Sequence, residues 1–381
     1  MRIQGGQVLA DGQWVAANVD IDETAGLIDA IGKDGGNGRC LDACGLHVLP
    51  GIVDIHADAF ERQLMPRPGV GFPVDIALME SDRQAVSNGI TTMFHGVTWS
   101  WEPGLRGADN ARTLLAAVEA LRPALGADTH IHLRYETFNL DAEAEVAGWI
   151  GDRRIGMLGF NDHMPGENAP PRARKLGQMA ERAGLSRENF LALVDRLRAR
   201  ADEVSPSIAR LAAAAAASGI PMLSHDDMSP EQRRWFRALD CRLAEFPTTI
   251  ETAQEAAAGG DDVVLGAPNV VRGGSHIGWI DAAEMVARGF CTILASDYYY
   301  PAPLLAAFRL AADGIAPLES AWSYVSERPA KAAGLDDRGV LVSGRRADVI
   351  IVDAKDLRRP KMIATIANGR VVHLAETDRL N

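Results

Sequence analysis

The segment Val53-Asp-Ile-His-Ala-Asp sets His56 and Asp58 two residues apart at the end of an apolar run. On a strand, residues i and i+2 project to the same side, so this imidazole and this carboxylate can reach one ion. A polar loop after a buried strand accounts for the pair equally well when it is taken alone. The same pattern recurs, however. Apolar runs end at Glu136, at Asp162-His163, at His225-Asp226-Asp227 and at Asp297. Imidazole and carboxylate are the donors that zinc, manganese and similar divalent ions take. Together these residues predict a site for one or two divalent ions, zinc first, with manganese, iron or magnesium as alternatives.

Each position has a chemical reading and a plainer one. Glu136 closes the run His130-Ile-His-Leu-Arg-Tyr-Glu, whose alternation puts His130, His132, Arg134 and Glu136 on one face. A polar face inside a fold is costly unless it is paired or metal-bound. Glu136 is therefore read as a bridge between two ions, or as the partner of Arg134. His163 and His225 are read as terminal ligands, the alternative for each being a satisfied core histidine. Asp226 and Asp227 follow His225 directly and are suited to orient its ring by accepting the second N–H. Asp297 follows the apolar run Cys291-Thr-Ile-Leu-Ala-Ser. It is read both as a ligand and as the acceptor of a proton from water; its alternative is a cap for the helix expected from Pro301. Arg67 and Arg272 stand in Gly/Pro-rich loops, the second followed by Gly273-Gly274 and His276. Arginine fork geometry and glycine backbone N–H groups suit an anionic substrate, against the plainer reading of ordinary loop arginines.

The elements that must position these residues alternate along the middle of the chain. Strands are expected at Val48–Ile55, Ile90–His95, Thr129–Tyr135, Ile155–Phe160, Ile220–Ser224, Cys241–Phe246, Val263–Gly266 and Thr292–Ala295. Helices fall between them, among them Val74–Asn88, Ala111–Leu121, Arg187–Arg200 and Pro206–Ala217. Eight strands alternating with helices predict a closed (β/α)₈ barrel over residues 50–338, which places the candidate ligands at the carboxyl ends of its strands. Both chain ends read differently. Arg2–Leu9 and Gln13–Ile21 alternate around Asp11-Gly12, and Asn368-Gly369 is a hairpin signal near the C-terminus. Residues 1–49 and 339–381 are expected to form one small β-sandwich domain.

Composition removes several functional classes. The 381-residue chain carries a formal charge of −12, with no long basic run to offset it, which argues against nucleic acid as a partner. An anionic small molecule remains compatible with a locally basic pocket. Four cysteines are too few and too scattered for a disulfide framework. The Ala-rich run Leu211–Ala217 is too short to span a bilayer, and no basic segment with an apolar continuation opens the sequence. A cytoplasmic protein is expected, and a homo-oligomer is left open.

Several segments together resemble the PhnM family of phosphonate metabolism, in the amidohydrolase superfamily. They are Gly51-Ile-Val-Asp-Ile-His-Ala-Asp, Leu64-Met-Pro-Arg-Pro-Gly-Val, Gly89-Ile-Thr-Thr, Asn161-Asp-His-Met-Pro-Gly, Ser224-His-Asp-Asp, Glu245-Phe-Pro-Thr-Thr, Gly266-Ala-Pro-Asn-Val-Val-Arg-Gly-Gly-Ser-His and Ser296-Asp-Tyr. They run in order from about Gly51 to Phe308, and the Gly266–His276 segment is the most specific. The resemblance implies a diphosphatase acting on α-D-ribose 1-methylphosphonate 5-triphosphate. It further implies that His56, Asp58, Glu136, His163, His225 and Asp297 hold one or two ions. Asp297 would take the proton of the attacking water, and Arg67, Arg272 and His276 would meet the triphosphate. In related enzymes a carboxylated lysine often bridges the ions. None of the lysines here, Lys33, Lys175, Lys331, Lys355 or Lys361, ends an expected strand, which favours Glu136 in that place. The chain departs from the family pattern at Ala57 and Ala59, where Thr and Asn flank the aspartate, and at His95, where an aspartate is usual. The strand count also sets His163 and His225 one strand earlier than the usual superfamily histidines. Two other functions share the fold: hydrolysis of a C–N bond, which needs fewer convergent cations, and a non-catalytic scaffold, which would have lost its ligands.

Overall fold

The computed structural model describes residues 1–32, 38–67, 69–165, 173–274 and 280–380, without the side chains at 173–175 and 182. One sheet joins the two ends of the chain. It is built from β1 (Arg2–Ala10), β2 (Gln13–Asp22), β3 (Leu27–Gly32), β4 (Cys40–Asp42), β5 (His47–Pro50) and three strands from the C-terminal region. Asp11 and Gly12, with φ of 47° and 73°, make the left-handed turn that a two-residue β1–β2 hairpin requires. Asn368 and Gly369, with φ of 50° and 74°, do the same near the C-terminus. Both hairpins match the dipeptide signals in the sequence.

The second sheet is parallel. Its strands are β6 (Ile52–Ala57), β7 (Ile90–Trp99), β8 (Asp128–Glu136), β9 (Met157–Asn161), β10 (Met222–His225), β11 (Leu243–Glu245), β12 (Asp262–Gly266) and β13 (Ile293–Ala295). They neighbour one another in sequence order. The first and last are bridged, Ala57 to Asp297, with Asp297 N donating to His56 O at 2.9 Å and Asp58 N to Asp297 O at 3.1 Å. An eight-stranded parallel sheet whose ends meet is the (β/α)₈ barrel expected from the alternation. Every residue of β6, β7 and β9 is buried, as parallel strands covered on both faces must be. The remaining strands, β14 (Val349–Asp353), β15 (Lys361–Ala367) and β16 (Arg370–Leu374), complete the first sheet in the order β16-β15-β14-β5-β1-β2-β3, with β4 beside β1.

One expected strand is two. Val48–Ile55 divides at Gly51: β5 pairs with β1 and β14 in the first sheet, and β6 pairs with β7 in the barrel. A Cβ at Gly51 would lie 2.2 Å from Thr91 Oγ1, so the backbone passes Thr91 too closely for any side chain. The apolar run continues across the break because both halves are buried, which hides the boundary from a periodicity reading. The helix expected from Pro206 starts earlier, at Ala201, and ends at Ser218 with Gly219 in the left-handed conformation.

Internal packing groups the chain into two compact units, residues 1–95, 121–130 and 262–381, and residues 96–120 and 131–261. The first holds the whole terminal sheet, with Ile3, Val8, Val19, Val48, Ile351 and Ile366 in its core. The second includes a cluster in which Trp101 packs with Leu176, Met179, Phe190 and Val194. All four cysteines are free thiols. No helix among the described residues is long and apolar enough to cross a membrane.

Candidate active site

In the first unit, the strand ends β6 and β13 bring His56, Asp58 and Asp297 together. One donor atom from each falls within 4.8 Å of the others. His56 Nε2 lies 3.9 Å from Asp58 Oδ2. Asp297 has φ of 54°, a left-handed conformation uncommon outside glycine, and the two backbone bonds to β6 hold it there. Beneath them sits Asp54, fully buried, whose Oδ1 accepts from Ser296 N at 3.0 Å and from His56 N at 3.3 Å. Burial pushes the Asp54 carboxyl up to about 6.

His95 does not end the second strand, since β7 runs on to Trp99. It is buried, with its ring edge-on to Phe60 at 4.9 Å. Desolvation lowers its pKa to about 4, so it stays neutral at physiological pH.

In the second unit, β8, β9 and β10 bring Glu136, His163, His225 and Asp226 together. Glu136 Oε1 lies 2.5 Å from His163 Nδ1, and Oε2 accepts the His163 backbone N–H at 3.1 Å. Burial alone would raise this carboxyl, but the bonds to His163 outweigh it and leave it below the usual glutamate range. Glu136 thus clamps His163, and the charge of Arg134 on its own strand also lowers its carboxyl. Arg134 also turns its Nη2 to His225 Nε2 at 3.3 Å. Asp226, with φ of 58°, lies 3.2 Å from His225 Nδ1 and 3.9 Å from His163 Nε2. Donor atoms of His163, His225 and Asp226 all fall within 4.8 Å of one another.

Asp227 faces elsewhere. Its Oδ2 accepts from Ser224 Oγ at 2.6 Å and from Arg233 Nη1 at 3.2 Å. Arg233 is fully buried and also reaches Asp261 at 3.2 Å and the Leu243 carbonyl at 3.2 Å. This network ties the loop after His225 to β11. Asp162 is exposed and accepts the Met164 N–H at 3.0 Å. His130 lies 3.2 Å from Asp128 and stacks on Phe94, while His132 is buried 4.0 Å from Glu245.

The substrate-side residues are placed differently. Arg67 and Arg272 are exposed. Arg272 ends the helix Ala267–Arg272, and the Gly273 and Gly274 N–H groups both donate to Asn269 O, at 3.1 and 3.0 Å. Those N–H groups close the helix rather than stand open to an anion. His276 lies outside the described residues.

Sequence reasoning passed over Glu245. It ends β11, is fully buried, and lies 3.8 Å from His225 Nε2. The signal was present, since Glu245 closes an apolar run just as Glu136 does. Phe246 after it has φ of 54°, so left-handed residues follow β10, β11 and β13 alike, at Asp226, Phe246 and Asp297. The expected strand count holds. His163 follows the fourth barrel strand, His225 ends the fifth, and the sixth ends in a glutamate.

Each cluster combines imidazole nitrogen with carboxylate oxygen, and each draws its donors close enough for one ion. Zinc and manganese accept that donor set. The residues present fit a divalent metal.

The α-D-ribose 1-methylphosphonate 5-triphosphate diphosphatase of Escherichia coli (strain K12) is 33% identical to this chain over 326 residues, 84% of this chain and 86% of that protein. The chain belongs to the PhnM family. No protein-family model matches it. Among solved structures, the dihydropyrimidinase of Brevibacillus agri NCHU1002 superposes with a TM-score of 0.66 at 13% identity, over 97% of this chain and 94% of that one. The D-hydantoinase of Bacillus sp. AR9 gives 0.65 at 13%, over 97% and 95%. A prolidase complexed with N-methylphosphonate-L-proline gives 0.64 at 14%, over 98% and 99%. At these identities the structures establish the fold, an amidohydrolase-type barrel with an accompanying β domain. This PhnM-family chain is a hydrolytic enzyme of that fold.

Proposed function

We propose that this enzyme hydrolyses α-D-ribose 1-methylphosphonate 5-triphosphate to the 5-phosphate and pyrophosphate. The observation that carries the reading is the 33% identity to the Escherichia coli diphosphatase across 84% of the chain. The imidazole and carboxylate groups at the strand ends are the machinery such a reaction needs. Water oxygen bonds to the phosphorus next to the ribose, the P–O bond to the β-phosphate breaks, and pyrophosphate leaves.

His56, Asp58 and Asp297 form one set of ligands, and Glu136, His163 and His225 the other, for one or two divalent ions, zinc first. A bound ion of this kind supplies Lewis acidity at phosphoryl oxygen and eases deprotonation of water. The chain's own residues do the rest. Asp297 accepts the proton of the attacking water, its carboxylate held in place by the backbone bonds to β6. Asp226 lies beside both imidazoles, 3.2 Å from His225 Nδ1 and 3.9 Å from His163 Nε2, where its carboxylate shares an ion with them. Glu136 fixes His163 through two contacts. Arg67, Arg272 and His276 meet the triphosphate. The barrel, residues 50–338, is the catalytic domain, and residues 1–49 with 339–381 form its β companion. The cytoplasm is the compartment proposed.

The test is pyrophosphate release from the ribosyl phosphonate triphosphate by the purified, metal-loaded protein, with nucleoside triphosphates as comparison substrates. Release from the ribosyl compound is expected. No release, together with hydrolysis of a cyclic amide such as a hydantoin, would move the assignment to C–N bond chemistry.

A further inference from the structure

The carboxyl ends of β8 to β11 form a polar row. The β8–β9 register sets Asn161 opposite Glu136, and the β10–β11 register sets His225 opposite Glu245. The β9–β10 register pairs Ser224 with Phe160. Carried one residue on, it brings His225 beside Asn161. Partners in a parallel ladder point to the same face. The row is therefore Glu136, Asn161, His225, Glu245, all on one face.

Three members of this row are engaged. Glu136 holds His163, and His225 and Glu245 lie 3.8 Å apart. Asn161 differs. It is fully buried, and neither its amide nitrogen nor its amide oxygen has a hydrogen-bond partner among the described residues. A buried amide left unpaired is expensive, and native structures retain one where something else completes it. The floor under it is filled. The His132 imidazole lies so close over Gly159 that a Cβ there would come within 2.6 Å of Nε2, and the same Cβ would lie 3.5 Å from Asn161 Oδ1.

We infer that Asn161 is a substrate-contacting residue whose side-chain N–H donates to a non-bridging oxygen of the phosphorus under attack. The inference rests on the phosphoryl-transfer reading above. The chemistry of the row supports it. Glu136 and Glu245 are acceptors that repel a phosphoryl oxygen, whereas a neutral amide offers a donor with no charge to neutralise. Negative charge builds on the phosphoryl oxygens during transfer, and a fixed donor there is worth more in the transition state than in the ground state.

The experiment compares Asn161→Ala and Asn161→Asp with wild type as metal-loaded full-length enzyme. In Asn161→Ala, kcat should fall on the order of 100-fold while KM moves less than about threefold, the pattern of a donor used in the transition state. Asn161→Asp keeps the shape and removes the donor, and should be at least as slow. Bound metal per chain and the thermal midpoint should stay at wild-type values in both. Orthovanadate, a five-coordinate phosphoryl mimic, should bind wild type at least about tenfold more tightly than Asn161→Ala in calorimetry. Wild-type kcat in either variant overturns the inference, and so does loss of metal, which would make Asn161 a support for the ligands. If wild type binds orthovanadate but releases no pyrophosphate, the substrate reading fails, and the vanadate comparison alone decides the role of Asn161.

Discussion

His95 ties stability to pH in a way that its burial makes calculable. The ring is about 1% exposed, packs edge-on to Phe60, and has its pKa lowered from 6.5 to about 4 by desolvation. The unfolded chain keeps the ordinary value, so between these two pH values the unfolded state binds the extra proton. Stability is then fully retained above about pH 6.5 and falls as the pH drops towards about 4. A depression of about 2.5 units at 1.36 kcal/mol each amounts to about 3 kcal/mol over that window, as an order of magnitude. His95→Asn removes the titration and keeps a small polar side chain. Urea unfolding of both proteins at a series of pH values from 4 to 8 gives two stability curves. The difference between them should stay flat above pH 6.5, then shrink by about 3 kcal/mol as wild type loses its advantage. Parallel curves across the whole window would refute the argument, because they would mean that the folded protein accepts the proton on His95 at no cost.

Three further outcomes follow from the site. Arg233→Met leaves Asp227 buried without its cation, while Asp261 keeps Arg237 at 2.8 Å, and should cost about 3–5 kcal/mol of stability in denaturant titration. A loss under about 1 kcal/mol would show that neighbouring arginines or water compensate. Asp297→Asn should keep the wild-type circular dichroism and lose most pyrophosphate release, and near-normal turnover would remove its role as proton acceptor. Glu136→Gln weakens the clamp on His163 and should lower metal affinity about 10–100-fold, read as metal per chain after dialysis against a weak chelator. Unchanged retention would leave Glu136 without a part in metal binding.

The barrel was legible in the sequence because its cause is local. Apolar runs of strand length alternate with amphipathic helical stretches, and a chain with that rhythm closes into parallel β/α units. The turns were legible for the same reason, since Asp11-Gly12 and Asn368-Gly369 carry their left-handed conformation with them. Strand-end imidazoles and carboxylates mark His56, Asp58, Glu136, His163, His225 and Asp297 as candidates in the sequence. The resemblance of ordered segments then narrowed the chemistry to phosphoryl transfer.

What the fold alone decided is which of these groups meet. Adjacent residues face opposite ways, so Asp226 reaches two imidazoles while Asp227 turns to Ser224 and Arg233. Arg134 acts on Glu136 by charge from the same strand, but the hydrogen-bond partner of Glu136, His163, comes from beyond β9. The break at Gly51 depends on Thr91, forty residues away, and no periodicity along one strand can report it. The Gly273 and Gly274 N–H groups look open to an anion in the sequence and are spent on closing a helix in the structure. Asn161 carries no marker as a lone polar residue at a strand end. Its buried, unpaired amide becomes visible only when the neighbouring strands are in register around it. Residue type sets what each group can do, and long-range register sets its partner, because hydrogen bonds and ion pairs act over a few ångströms between residues far apart in the chain.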